Sequence, residues 1–339
     1  MRAKIFARGS LMALAFAAFS LPAASDPVAE FYKGKQLTII VGSAPGGDYD
    51  VWARMIGRYF VRYIPGNPEV IVQNMPGAGG IRATNFTYSV SPRDGTVVAM
   101  TSRNAPFRAV SGDKMVRFDP LKMNWLGSPE VTNRVCIVAS NAPVKHAKDI
   151  FTKELIVAGS GQGSALSTIP PMLNRLLGTR MKLIEGYNSA TDAKLAIDRG
   201  EVHGLCQSYT QISRAYADEL ANNKIKILFR MEELPIPGVD APSIYDFTTD
   251  DKQRQVLALF SVGVVLGRPM YAPPDVPRER VIALRRAYEQ ALRDRDLRAE
   301  ADKLGLVVTH TSGEEIERIV ATLMKTPREI RDLAGSLGN

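Results

Sequence analysis

The chain is poor in the residues that usually build reactive centres. In 339 residues it has three histidines, His146, His203 and His310, and two cysteines, Cys136 and Cys206. No His-Glu-x-x-His pair and no Cys-x-x-Cys spacing occurs, so a zinc site of those types is excluded and no metal or cofactor is expected. No lysine follows the first glycine turn in the way a phosphate-binding loop requires, and no Gly-x-Ser-x-Gly elbow is present. Lysine and arginine never form a run with interleaved aromatics, which argues against nucleic acid as a partner. Beyond the first 25 residues no apolar stretch is long enough to cross a bilayer; 256–266 comes nearest and is too short. The net charge is a mild +8, which favours an anionic solute by long-range attraction.

What the chain does have begins with an export signal. Met1, Arg2, Lys4 and Arg8 give a basic, acid-free start, 11–19 is apolar, and Leu21, Pro22, Ala23, Ala24 and Ser25 supply small residues for cleavage. Residues 1–25 therefore read as a cleavable signal peptide, with a retained anchor as the competing reading. No cysteine follows the apolar core, so no lipid attachment is expected there. An exported chain meets an oxidising space, so Cys136 and Cys206 are either a disulfide or two buried thiols. The mature chain of roughly 315 residues suggests two domains.

The pattern that organises the rest is at 37–63. A β-branched run, 37–42, leads into Ser43, Ala44, Pro45, Gly46 and Gly47. From Val51 onward Trp52, Met55, Ile56, Tyr59, Phe60 and Tyr63 recur at helical spacing. Asp48 or Asp50 can cap that helix. Strand, glycine turn and helix place unpaired N–H groups at the positive end of a helix, a setting that attracts anions; a purely structural turn is the alternative.

Two further strands, near 69–73 and 96–101, also empty into small or polar loops: 74–80, with its three glycines, and Ser102, Arg103, Asn104. A strand at 134–139 follows. Then 155–158 leads into Gly159, Ser160, Gly161, Gln162, Gly163 and Ser164 before a helix, with Pro170 and Pro171 expected in its first turn. Strands at 181–185, 202–207 and 224–230 and a helix at 191–199 complete this half. Residues 256–265 fit either a strand or a buried helix, 277–304 one or two helices, 306–308 a short strand, and Ser312 with Glu315 a capping box. The alternation predicts an α/β fold in which ligands bind beyond the strand C-termini. Two such lobes facing each other across a cleft would pinch a small anion between two helix N-termini.

Several of these motifs, taken together, resemble one family. Ala-Pro-Gly-Gly-x-x-Asp at 44–50, Pro-Gly-Ala-Gly-Gly at 76–80, Asp-Gly-Thr at 94–96, the glycine–serine loop at 159–164, Gly186-Tyr187 and the stretch 200–204 are similar in kind and order to the Bug-type family. These are the extracytoplasmic substrate-binding receptors of tripartite tricarboxylate transporters. The resemblance implies a periplasmic binding protein-like fold of two α/β domains joined by crossing segments. Domain 1 would be 26–131 plus 234–339, and domain 2 would be 132–233.

It also implies a monomeric, non-enzymatic receptor in the periplasm that passes a small carboxylate to membrane permease subunits. The ligand would be held by Ala44, Pro45, Gly46, Gly47, Asp48, Tyr49 and Asp50, and by Ser160, Gly161, Gln162, Gly163 and Ser164. Ser102, Arg103, Asn104, Tyr187 and Asn188 would line the cleft. A ligand-sensing module for a signalling partner and a secreted hydrolase using Ser164 are the rival functions.

The chain departs from the family where Asp48-Tyr49 replaces the usual Ser-Thr, and where Met75 stands in place of a basic residue; both changes imply altered ligand choice. Arg103 is either a bidentate carboxylate partner or a solvated side chain. Arg134 reads as a surface or hinge residue. Asp50 reads as a loop organiser rather than a ligand, because carboxylates repel anions. Tyr49 and Tyr187 either stack on the solute or are simply half-exposed.

Overall fold

The computed structural model describes residues 26–131, 133–161, 165–187, 190–233 and 235–337. The expected signal segment, Gln162, Gly163, Ser164 and Asn188 lie outside them. In the first stretch the order is α1 (Pro27–Tyr32), β1 (Gln36–Val41), α2 (Asp48–Tyr63), β2 (Glu69–Asn74), α3 (Ile81–Ser89), β3 (Val97–Met100), α4 (Ala105–Val110) and β4 (Asn124–Ser128). Next come β5 (Arg134–Ala139), β6 (Leu155–Ala158), α5 (Ala165–Leu177), β7 (Met181–Ile184), α6 (Ala190–Asp198), β8 (Gly204–Ser208), α7 (Tyr209–Ala215), α8 (Ala217–Ala221) and β9 (Ile225–Arg230). The chain ends with α9 (Asp251–Leu266), β10 (Met270–Ala272), α10 (Arg278–Arg293), α11 (Arg295–Lys303), β11 (Thr311–Ser312), α12 (Gly313–Met324) and α13 (Arg328–Leu337).

These strands make two mixed sheets. One has the order β11-β4-β10-β3-β1-β2 and the other β7-β6-β8-β5-β9. In the first, β1 runs parallel to both β2 and β3, so the loops after all three emerge on one edge. The β-branched run of β1 buries both of its faces, as a central parallel strand must, and α2 lays Trp52, Met55, Ile56 and Phe60 against it. In the second, β6 is parallel to β7 and β8, while β5 is antiparallel to β8 and β9. Arg134, the first residue of β5, therefore pairs with Ser208, the last of β8, and stands at the same edge as the loops that leave this sheet.

The two sheets share elements. Val256, Leu257, Leu259 and Phe260 of α9 belong to the core of the second sheet with Val138, Val157, Met172 and Phe229. Leu266, at its far end, packs with Ile40, Trp125 and Tyr271 of the first. α13 returns to the second core through Ile330, Ala334 and Leu337. The stretch that periodicity left ambiguous is thus a helix, apolar all round because it passes between two cores. Cys136 and Cys206 sit opposite each other on β5 and β8 and form a disulfide.

Other expectations change. Residues 306–308 are not a strand; the edge strand is Thr311–Ser312 on β4. Pro170 and Pro171 lie inside α5, not in its first turn. The helix extends upstream of them, which brings the Ser167 hydroxyl back to the preceding loop. The Ser312 hydroxyl caps α12 by accepting from the Glu315 amide. Among the described residues no helix is long and apolar enough to cross a membrane, and no cluster of His, Cys, Asp and Glu could hold a metal.

Candidate ligand-binding site

The first glycine turn is closed by Asp50. Gly46 adopts φ +78°, and its amide donates to Asp50 Oδ2 at 2.8 Å. Arg54 Nε and Asn74 Nδ2 also donate to that carboxylate, and Asn74 Nδ2 reaches the Ser43 carbonyl at 3.0 Å as well. Burial alone would raise the Asp50 carboxyl; the hydrogen bonds from Arg54, Gly46 and Asn74 outweigh it and hold the group below its ordinary value. Asp50 is thus the organiser of the loop. Gly47 is the N-cap of α2, so neither Asp48 nor Asp50 caps it, and the Gly47 amide turns back to the Ala44 carbonyl.

The three loops at this edge touch one another through glycine. A Cβ on Gly80 would lie 3.0 Å from the Ser102 amide, and one on Gly42 would lie 3.1 Å from Gly80 Cα. The Tyr49 hydroxyl accepts from the Arg103 amide at 3.0 Å, which ties the start of α2 to the loop after β3.

On the other sheet the loop after β6 already holds a carboxylate. The Gly161 amide donates to Glu185 Oε2 at 2.8 Å, and the Ser167 hydroxyl donates to the same oxygen at 2.9 Å. The amides of Ser160 and Gly161 both donate to Ser167 Oγ at 3.0 Å. A Cβ on Gly159 would lie 2.5 Å from Glu185 Oε2, so glycine there makes room for the carboxylate. Tyr187 is half-buried; burial first, then Glu201, raises its phenol. Its amide donates to the Gly159 carbonyl at 3.0 Å.

The two edges meet. Asp48 Oδ2, at the start of α2, accepts from Gln211 Nε2 of α7 at 3.0 Å and from Arg268 Nη2 at 2.9 Å. Arg268, only 7% exposed, also pairs with Glu130, and its guanidinium lies 5.5 Å from the Tyr49 ring centroid. Arg134 is 6% exposed, with Nη1 donating to the Phe260 carbonyl at 3.2 Å. Its surface reading is therefore corrected: it is a buried residue between the sheets. Arg103 and Asn104 reach the same place, since a Cβ on Gly263 of α9 would lie 2.6 Å from Asn104 Oδ1, 3.3 Å from Arg134 Nη2 and 3.5 Å from Arg103 Cγ.

Burial, then the neighbouring Arg103, pulls the Arg134 guanidinium down to about 10, so it stays protonated at neutral pH. Arg268 is likewise lowered, first by burial.

Sequence reasoning missed Arg268, Gln211 and Gly263 and underrated Arg134. One signal was available: Arg268 is the single charged residue between Arg254 and Asp275, and Arg134 the single one between Glu130 and Lys145. An isolated charge in an apolar run is rarely left buried without a partner or a task. A separate groove of about 550 Å³ lies between α9 and α12, lined by Leu259, Val262, Ile319 and Leu323 among others. It contains none of the residues above.

Glu232, next to this cluster, gives a pH signature. Its carboxylate accepts from the Arg134 amide at 3.0–3.1 Å, and burial pushes it up to about 7 from an ordinary 4.5. Because the folded value is raised, the folded state holds a proton that the unfolded chain has already released between these pH values. Stability is full below about 4.5 and falls as pH rises toward 7, by about 3 kcal/mol at most. Glu232→Gln should flatten that part of a urea-denaturation pH series; an unchanged slope would remove Glu232 as its source.

No family model matches the chain. Over 93 residues it is 36% identical to Protein BugT of Bordetella pertussis. The match covers 27% of this chain and 26% of BugT, so the chain spans about a quarter of the length of the curated relative it matches. Among solved structures, a TctC solute-binding protein from Polaromonas superposes with a TM-score of 0.68 at 20% identity, covering 90% of this chain and 98% of that one. MatC of Rhodopseudomonas palustris, solved with bound malate, superposes at 0.62 with 21% identity, covering 88% and 99%. The likeness expected from the glycine motifs is borne out, and the fold is that of these solute-binding proteins.

Proposed function

We propose that the chain is a solute-binding receptor that captures a small carboxylate between the loop edges of its two sheets. One observation carries the reading. Where the edges meet, the buried Arg134 and Arg268 and the half-buried Arg103 outnumber the carboxylates of Asp48 and Glu130, and Glu232 beside Arg134 is held partly protonated at neutral pH by its burial, which leaves positive charge to be neutralised. The malate held by MatC supports a carboxylate as the neutralising group.

In this reading residues 44–50 present the amides of Asp48 and Tyr49, which head α2 and have no partner within the helix. Ser102, Arg103 and Asn104 form the wall on the same lobe. Ser160, Gly161 and Tyr187 form the facing wall. Asp50 and Glu185 are structural, because each already accepts from the glycine loop it closes, Asp50 from Gly46 and Asn74 and Glu185 from Gly161 and Ser167. The receptor works in the periplasm as a monomer, after export by its leader, and hands its solute to a tripartite tricarboxylate-type permease without chemically changing it.

A panel of aliphatic and aromatic carboxylates tests this by thermal shift. At least one should raise the melting temperature, since a ligand at a hundred times its Kd stabilises by about 2.7 kcal/mol. If no compound shifts the transition and calorimetry detects no binding, the receptor reading falls.

A further inference from the structure

We infer that Arg103 and Arg134 form a guanidinium clamp that grips one anionic group of the ligand directly, so that the receptor selects solutes with two ionised groups. This rests on the receptor reading and adds to it the charge of the ligand and the residues that read it.

The argument starts from cost. Arg134 Nε and Arg103 Nη1 are both buried, and neither has a hydrogen-bond partner among the described residues. Neither guanidinium makes an ion pair with a carboxylate among those residues. The two influence each other, as the lowering of Arg134 by Arg103 records. Two like charges kept side by side, with donors out of water and unmet, destabilise the empty protein. Arginine cannot escape by losing its proton at neutral pH. Glu232, which meets the Arg134 amide, offsets this in part; an anion placed between the two guanidiniums relieves the conflict, and the planar fork of each suits a carboxylate.

Arg268 makes the contrast. It is buried to the same degree as Arg134 and its Nε also lacks a partner, but both of its Nη groups are answered by carboxylates, Nη1 by Glu130 and Nη2 by Asp48, so it holds the lobes together and is not available to the ligand. The position also fits. Arg103 closes the β3 end of the first sheet and Arg134 opens β5 beside the end of β8 on the second. The clamp therefore has one jaw on each side, and Gly263 of α9 leaves the space between them. The helix-terminal amides of Asp48 and Tyr49 are a separate donor set, at the start of α2. A solute with two ionised ends can engage both sets, whereas a monoanion leaves one of them unmet.

The test uses the full mature chain and a series of dicarboxylates from malonate to adipate, with phthalate and terephthalate, each beside its monoamide. Calorimetry on the wild type should show the best diacid binding at least tenfold tighter than its monoamide. Arg103→Met and Arg134→Met should each weaken the diacid a hundredfold or more while changing monoamide affinity by less than about threefold. Arg103→Lys, which keeps the charge but not the fork, should fall between. The unliganded Arg134→Met protein should melt no lower than the wild type, because a buried unpaired charge has gone; a merely structural arginine would give the opposite. If carboxylates bind but the methionine variants bind diacids as the wild type does, the clamp is wrong and the receptor reading stands. If diacid and monoamide bind the wild type equally, the two-charge selection is wrong. If no carboxylate binds the wild type at all, both fall together.

Discussion

Gly267→Ala should lower the free energy of unfolding by about 4 kcal/mol. Gly267 ends α9 with φ +54°, a conformation that costs a residue with a Cβ roughly 1–2 kcal/mol. The added carbon would stand 1.8 Å from the Glu130 carbonyl oxygen and 2.7 Å from Ser128 Oγ. The Glu130 oxygen is main chain, so relief requires the crossing segment itself to move, at a further cost of about 1–3 kcal/mol. The effect should also reach the site. The Ser128 hydroxyl donates to the Glu130 carbonyl and accepts from the Arg268 amide, both at 3.0 Å, and Glu130 in turn pairs with the Arg268 guanidinium. Shifting this crossing displaces the arginine that bridges to Asp48. Urea denaturation with an unchanged m-value would report the stability loss. Gly161→Ala is the comparison: φ is +101° but a Cβ there meets nothing within 4 Å, so only the backbone term remains. Equal, small losses for both would show that the close approach at Gly267 has no energetic weight.

Removing the disulfide should have a comparable effect by a different route. Cys136 and Cys206 are 70 residues apart in sequence and adjacent across β5 and β8. In the chain-entropy account, a loop of that length closed in the unfolded state is worth about 4 kcal/mol. The double variant Cys136→Ala, Cys206→Ala should therefore unfold at much lower denaturant than the oxidised wild type. Reductant should lower the wild-type midpoint and leave the variant unmoved. Denatured wild-type protein should show no free thiol. Two titratable thiols, or a variant as stable as the parent, would contradict the pairing.

The loss should be global, because β5 and β8 sit side by side in the second sheet and β5 begins with Arg134. The buried thiols that the sequence offered as an alternative are thus replaced by a bond whose basis is register. Strand pairing brings the two residues face to face, and no count of cysteines could have done so.

The parts of the fold that were legible share one property: their cause is local. The β-branched run of β1, the glycine turn and the 3.6-residue repeat of α2 specify strand, turn and helix within a single stretch of chain. Asp50 could be read as an organiser because an acid at the head of a helix finds the amides of its own loop. Where the period was uninformative, as in α9, buried helix and strand could not be separated, since a segment apolar on all sides carries no face. Pro170 and Pro171 misled because proline marks a first turn only when nothing upstream rewards continuing the helix; here the Ser167 hydroxyl meets the preceding loop amides.

The second glycine loop marks the limit. From the chain, Ser160 and Gly161 looked like open amides awaiting an anion. Folding brings Glu185 from the end of the neighbouring strand to fill that role. Arg103, Arg134 and Arg268 are separated by 31 and 134 residues, and nothing in their flanks announces that they meet; the arrangement exists only because β3, β5 and the end of α9 converge where the sheets face each other. The amino-acid order by itself therefore determined most of the elements, the turns and the resemblance to these solute-binding proteins, for these follow from periods and backbone preferences acting over a few residues. Tertiary structure alone decided which donors were already satisfied and which charges stood without an answer, because that depends on partners delivered from distant parts of the chain.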